Sequence, residues 1–361
     1  MRAAVMHAVN APIVVEDVDI ADPGGREVLI KSVASGLCHS DLLFLRGEWD
    51  HPVPTILGHE VAGVVEAVGD EVDYLQPGDH VIGCAGGPCY KCRYCIVGRP
   101  ILCEGRHHDR STGEQPRLSL GGVPVHQYGQ LSAFAEHMLV HENATVKISA
   151  DMPLDIAAIV GCGVATGLGA VFNTAQVIPG ATVVVTGCGG VGLNCVQGAR
   201  IAGASVIVAV DIVPSKLERA LALGATHVVN PQQDDLVAEV FEITAGGADY
   251  VLEAAGINTL AQQGIEMLRP GGVLTLVGLP PQGTNIVFEP ATFTPAEKSI
   301  RGCSVGSLRP RVDIPRYIQM YMSGRLELDS LVSARISLDE INAGFEAMER
   351  GEVARSVIVF D

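Results

Sequence analysis

"ATVVVTGCGGVGLNCVQGARIAGASVIVAVD" occupies residues 181–211. Residues 181–187 are apolar and β-branched, the composition of a buried strand. Residues 190–202 suit a helix, and 205–211 form a second apolar strand ending at Asp211. Between strand and helix lies GCGGVG, with Gly187, Gly189 and Gly192 in the G-x-G-x-x-G pattern and Gly190 and Val191 inside it. Gly187 suits a tight turn, Gly189 lets a pyrophosphate approach the backbone, and Gly192 permits close helix–strand packing. The helix N-terminus favours the phosphate charge. Asp211, 19 residues after Gly192, stands where a carboxylate would bond adenosine ribose hydroxyls and repel a 2′-phosphate. The stretch predicts a dinucleotide site, for NAD rather than NADP.

The same rhythm continues outward. Strands are expected at 226–229, 249–253 and 272–277, alternating with helices near 214–223, 234–245 and 258–268. Such alternation means βαβ units and a parallel sheet. Upstream the pattern differs. Short strands at 28–33, 61–68, 78–83 and 137–148, separated by Gly, Pro and Asp turns, predict an irregular all-β region over the first 150 residues. The tail, 303–361, offers a helix at 338–350 and a last strand, RSVIVFD.

Composition narrows the function. The 361 residues carry a net charge of −17, which argues against a nucleic-acid or anionic-membrane surface. Residues 156–199 contain no Asp, Glu, Lys, Arg or His, yet Asn173, Gln176, Pro179 and many glycines break the tract. It reads as buried core, not as a membrane span. The N-terminal residues show no signal-peptide pattern, so a cytoplasmic location is expected. Ten cysteines in such a chain point to metal or catalysis before disulfides.

Four of them, Cys89, Cys92, Cys95 and Cys103, have the spacing C-x2-C-x2-C-x7-C. Four thiolates complete a tetrahedral zinc shell and leave no position for water or substrate, so this site is structural. An iron–sulfur reading of the run is the alternative. Cys38, His59 and Cys162 are far apart, and spacing alone cannot make them a site. Taken singly, each suits a core position. Cysteines 84, 188, 195 and 303 show no metal pattern and read as core.

GHEVAGVVEAVG (58–69) with PGDHV (77–81), the cysteine run, GCGVATG (161–167), GCGGVGL (187–193) and LVGLPP (276–281) follow one another in a recognisable order. The chain resembles, over essentially its whole length, the zinc-dependent alcohol dehydrogenases of the medium-chain dehydrogenase/reductase superfamily. The resemblance implies an α/β fold, with a GroES-like mostly-β catalytic domain (1–163 and 303–361) interrupted by a Rossmann doubly wound domain (164–302). It implies two zinc ions per chain, with Cys38, His59 and Cys162 as catalytic ligands around an open position. Asp41 would support His59, Glu60 would lie behind the metal, and Ser40 would take the alcohol proton. His39 and Arg355 would pair with the pyrophosphate, and Lys216 would sit beside the adenosine ribose. Thr166 and Val191 would press on the nicotinamide, and Val277 would contact its amide. Where many members carry a histidine five residues after the first zinc cysteine, this chain has Leu43, so the outer end of the proton relay is expected to differ.

Trp49 and Tyr128 are expected to border a cleft for apolar or aryl primary alcohols and aldehydes. The alternative substrate is an S-hydroxymethyl adduct of a small thiol, with Arg106 or Arg110 holding the thiol's carboxylate. A non-catalytic NAD-binding protein of the same fold is the third reading, and it gives no reason to keep Cys38, His59 and Cys162 together. The long segment 104–136 resembles the dimeric branch, so a homodimer is expected.

Overall fold

The structure is a computed structural model that describes every residue except 106, 107, 109, 111, 112 and 352–354. The chain divides into two compact units, Met1–Cys162 with Arg309–Asp361, and Gly163–Leu308.

The first unit is built on a seven-stranded sheet that takes in the C-terminal strand beside strands from the first 150 residues. Its long central strand, Glu27–Gly36, pairs antiparallel with Glu60–Val68 on one side and with the C-terminal strand Ser356–Val359 on the other. The register places Gly36 opposite Glu60, so Cys38 and His59 emerge at the same end of neighbouring strands. Gly36 is required there: a Cβ on it would lie 2.4 Å from Glu60 Oε2. The region expected as one strand over 137–148 is two, His137–His141 and Thr145–Lys147, because a 3-10 turn at Glu142–Ala144 interrupts it.

The second unit holds six parallel strands in the spatial order His227–Val229, Val206–Val210, Thr182–Thr186, Ala248–Glu253, Leu268–Leu276 and Ser299–Gly302. Sequence order reverses between the third and fourth of these, which opens a crevice at their carboxyl ends. Val184, Val208, Val251 and Leu274 are fully buried in the core, each contributing roughly 1.5–3 kcal/mol by its burial. The helix expected over 190–202 is Gly190–Ala202, closed by Gly203 in the left-handed conformation. The helix Pro310–Met322 has no counterpart in the sequence reading. Pro310 starts it where no N–H is needed, but Pro315 lies inside and hides its helical pattern. Among the described residues no single helix is long and apolar enough to cross a membrane.

Candidate active site and metal centres

The glycine pattern of the second unit has a physical cause at each position. A Cβ on Gly192 would lie 1.7 Å from the carbonyl oxygen of Gly187, so helix and turn can touch only without one. Gly187 itself has φ +88°, and a Cβ there would lie 2.8 Å from Ala255. Gly189 is different: nothing lies within 4 Å of where its Cβ would be. That is the open approach a phosphate needs. Asp211 does more than wait for a ribose. Its Oδ2 accepts the Cys188 N–H at 2.8 Å and its Oδ1 the Val213 N–H at 2.9 Å, tying the glycine turn to the next strand. Each oxygen keeps a further lone pair. Val191 lies on the glycine helix, Lys216 on the helix Pro214–Leu223, Thr166 on the helix Gly163–Gly169, and Val277 just past the fifth strand.

The trio of distant residues converges in the first unit. Cys38 is the N-cap of the short helix His39–Leu45. His59 immediately precedes the strand Glu60–Val68, and Cys162 follows the 3-10 turn Ala158–Gly161. One ligand atom each from Cys38, His59, Glu60 and Cys162 lies within 4.8 Å of all the others. His59 Nε2 is 3.2 Å from Cys162 Sγ. Asp41, fully buried, organises the rest. Its Oδ2 accepts the Cys38 N–H at 3.1 Å, and its Oδ1 accepts the Gly58 N–H at 3.3 Å and faces His59 Nδ1 at 3.1 Å. A hydrogen bond from Cys162 pushes the Cys38 thiol well down, against its own burial and with the help of His59 and Arg355. Burial raises the Glu60 carboxyl, while Arg355, 3.3 Å away, opposes the rise. Arg355 also donates to the Leu37 carbonyl at 3.1 Å. Ser40 Oγ is 3.6 Å from Cys38 Sγ, and His39 is exposed. Two sulfurs and an imidazole nitrogen suit zinc, and with the Glu60 carboxylate paired to Arg355 these three leave a fourth position for a reactant.

The other cysteine cluster is local. Cys89, Cys92, Cys95 and Cys103 bring their sulfurs within 4.8 Å of one another. Cys92 Sγ and Cys103 Sγ are 3.8 Å apart, matching the roughly 3.8 Å edge of a tetrahedron with metal–sulfur bonds near 2.3 Å. Backbone N–H groups of Cys89 and Gly105 donate to Cys103 Sγ, and that of Cys92 donates to Cys89 Sγ. Backbone N–H groups, chiefly of Cys95 and Glu104, hold the Cys92 thiol down to about 6. The set fits a closed zinc shell. Cys84, Cys188 and Cys195 are buried as expected of core thiols, whereas Cys303 is only partly buried.

Trp49 and Tyr128 belong to a chain of rings that begins at His59. Tyr128 lies 5.4 Å from His59, 4.7 Å from Phe44 and 5.7 Å from His51, and Phe44 lies 6.3 Å from Trp49 (centroid separations). Phe44 is an addition to the sequence reading. Phe44 shares a seven-residue helix with Ser40 and Asp41, which is the signal that could have found it. Arg110, a candidate for holding a thiol's carboxylate, is turned to its own chain. It donates to Glu27, to the Asp22 carbonyl and to the Gln115 carbonyl. Arg106 lies outside the described residues.

The sequence matches the alcohol dehydrogenase GroES-like domain family over residues 24–150 and the zinc-binding dehydrogenase family over 190–323. Alcohol dehydrogenase 1 of Pisum sativum is 37% identical, with 99% of this chain and 96% of that one aligned. S-(hydroxymethyl)glutathione dehydrogenase of Paracoccus denitrificans is also 37% identical, over 99% of each chain. Among solved structures, benzyl alcohol dehydrogenase of Acinetobacter calcoaceticus superposes with a TM-score of 0.94 at 37% identity, covering 100% of this chain and 99% of its own. The chain therefore belongs to the zinc-dependent alcohol dehydrogenases of the medium-chain dehydrogenase/reductase superfamily, and it is an NAD-dependent oxidoreductase of alcohols.

Proposed function

We propose that Cys38, His59 and Cys162 hold the catalytic zinc and that the four-cysteine lobe holds a second, structural one. The observation that carries the reading is the convergence of those three residues on one point, with Asp41 bonded to His59 Nδ1. When bound, zinc supplies Lewis acidity that eases deprotonation of the alcohol, and NAD supplies the hydride acceptor. The rest is work for the chain. Asp41 fixes the imidazole so that Nε2 faces the sulfur of Cys162. Ser40 takes the alcohol's proton. Arg355 offsets the charge of Glu60 behind the site and, with exposed His39, serves the pyrophosphate. Asp211 bonds the adenosine ribose and disfavours a 2′-phosphate, since like charges at close range cost most where water is scarce. Lys216, Thr166, Val191 and Val277 complete the dinucleotide contacts, and Gly187, Gly189, Gly190 and Gly192 cradle its phosphates. We assign residues 1–163 and 303–361 to the catalytic domain and 164–302 to the NAD domain.

The ring chain from His59 to Trp49 favours apolar or aryl primary alcohols and their aldehydes. Thiol-dependent formaldehyde oxidation is the second reading, favoured by the similarity to the Paracoccus enzyme and opposed by the inward turn of Arg110. Cysteines used as zinc ligands and core thiols, not as disulfides, support a reducing, cytoplasmic setting, and a homodimer is the assembly we assign. A panel of alcohols and aldehydes followed by NADH absorbance tests the reading. Benzyl and other aryl alcohols should lead, and NADP should serve poorly. Formaldehyde turnover that requires added glutathione or mycothiol would transfer the assignment to the second reading.

A further inference from the structure

One buried carboxylate takes no part in the chemistry above. Glu253 ends the fourth strand of the parallel sheet, beside the point where strand order reverses, and is 2% exposed. A carboxylate buried that far is costly unless backbone or cationic groups satisfy it. No cation among the described residues does so. Instead Oε1 accepts the N–H of Ala255 at 2.9 Å and that of Ile257 at 3.3 Å, bonds that oppose the rise burial imposes on the carboxyl. Two backbone N–H groups of one short loop thus hold it, just before the nine-residue helix Asn258–Glu266. Such a backbone nest at a helix start ordinarily attracts a ligand's anion. In this chain it is filled by the chain's own carboxylate.

The same residue grips a second loop. Its carbonyl oxygen accepts the N–H groups of Val277 and Gly278, both at 2.8 Å. The two loops it holds are in contact: a Cβ on Gly278 would lie 2.1 Å from the nitrogen of Gly256. The first loop also abuts the glycine turn, where Ala255 leaves no room for a side chain on Gly187. The Ala254 N–H completes the frame by bonding the Thr186 carbonyl at 2.8 Å. Both loops line the carboxyl ends of the strands, and Val277 is carried on the second.

We propose that Glu253 is a positioning residue for the dinucleotide: its carboxylate sets loop 254–257, and through it loop 277–279, in the geometry that receives NAD. The proposal rests on the dinucleotide reading of this crevice. It adds that the wall facing the glycine turn is preorganised by an internal anion, so that binding need not order it.

Calorimetric titration of the full-length, zinc-loaded protein with NADH tests this, using Glu253→Ala, Glu253→Gln and Glu253→Asp. Glu253→Ala should weaken NADH binding roughly tenfold and raise the KM for NAD similarly, with no fall in kcat. Gln keeps the length and an acceptor oxygen, and should restore affinity to within about threefold. Asp keeps the charge but falls short of the nest, so it should behave like Ala, and it serves as the probe should Glu253→Ala fail to fold. A helix cap with no role in binding would lower the melting temperature and leave NADH affinity within about twofold in Ala and Asp alike; that result overturns the proposal. A native protein that takes up no NADH would instead remove the dinucleotide reading on which it stands.

Discussion

The four-cysteine lobe and the trio of Cys38, His59 and Cys162 hold their ligand atoms equally close, yet they are assembled in opposite ways. The lobe takes all its sulfurs from residues 89–103, and backbone N–H groups of Cys89, Cys92 and nearby Gly105 orient two of them. The trio draws on three segments that meet only after Glu27–Gly36 has paired with Glu60–Val68. The ligands differ as well. Four thiolates close a shell, while two thiolates and an imidazole leave room for a reactant. Asp41 has no equivalent in the lobe. A local loop can be organised by its metal, whereas the reactive site borrows its precision from the sheet beneath it.

The sharpest way to break this contrast is His59→Ala. Loss of one of three ligands at the open site should lower kcat/KM for alcohols by about a thousandfold or more. The variant should stay folded, bind NADH and retain one zinc per chain by elemental analysis. Alcohol turnover close to the native rate would refute the division of labour. Cys95→Ala addresses the other side. Opening the closed shell should lower the melting temperature by roughly 10 °C, while the protein that remains soluble at 25 °C turns over within a few-fold of native. A variant with unchanged melting temperature but lost activity would reverse the roles of the two centres.

Asp41→Asn sharpens the comparison without removing a ligand. The carboxylate bonds His59 Nδ1, the Gly58 N–H and the Cys38 N–H together. An amide must turn an NH2 toward one of these donors. Zinc affinity in chelator competition, or alcohol turnover, should fall by about 10- to 100-fold. Native values in both assays would show that His59 is held by packing alone.

The contrast also explains what could be read before folding. The lobe and the glycine turn were legible because their chemistry lies within one short segment, as was the helix Gly190–Ala202 with its limits. The trio was legible only through resemblance, since the register that joins Gly36 to Glu60 has no local signature. Phe44 escaped because rings that meet across 7 and 84 residues, those of His51 and Tyr128, leave no periodic pattern. Arg110 looked available as a substrate cation, but its partner, Glu27, lies 83 residues away on the central strand. Burial raises the Glu27 carboxyl, yet hydrogen bonds from Arg110 and Arg117 outweigh it and hold the group near 2. That pair is structural.

The smallest expected effect lies at the outer edge of the reactive site. Leu43 is on the helix His39–Leu45 with Ser40, and no leucine can accept a proton from the relay proposed to start there. His51 stands two rings from His59, across Tyr128. Burial and the neighbouring charge of His126 hold its pKa below the ordinary imidazole value, so it is neutral and able to accept a proton at pH 7. If His51 completed the relay, oxidation would be flat from neutral pH upward and indifferent to buffer. Its ring meets that of His59 only across Tyr128, at centroid separations of 5.7 and 5.4 Å, which is beyond hydrogen-bond reach and argues against direct proton transfer between the two histidines. The final proton should therefore leave through water or buffer. Oxidation should rise toward alkaline pH and respond to added buffer base near pH 7. Leu43→His should abolish that response and raise the rate at pH 7 by roughly three- to tenfold, with NADH affinity unchanged. A native rate that ignores buffer and falls on His51→Gln would place the base at His51 instead.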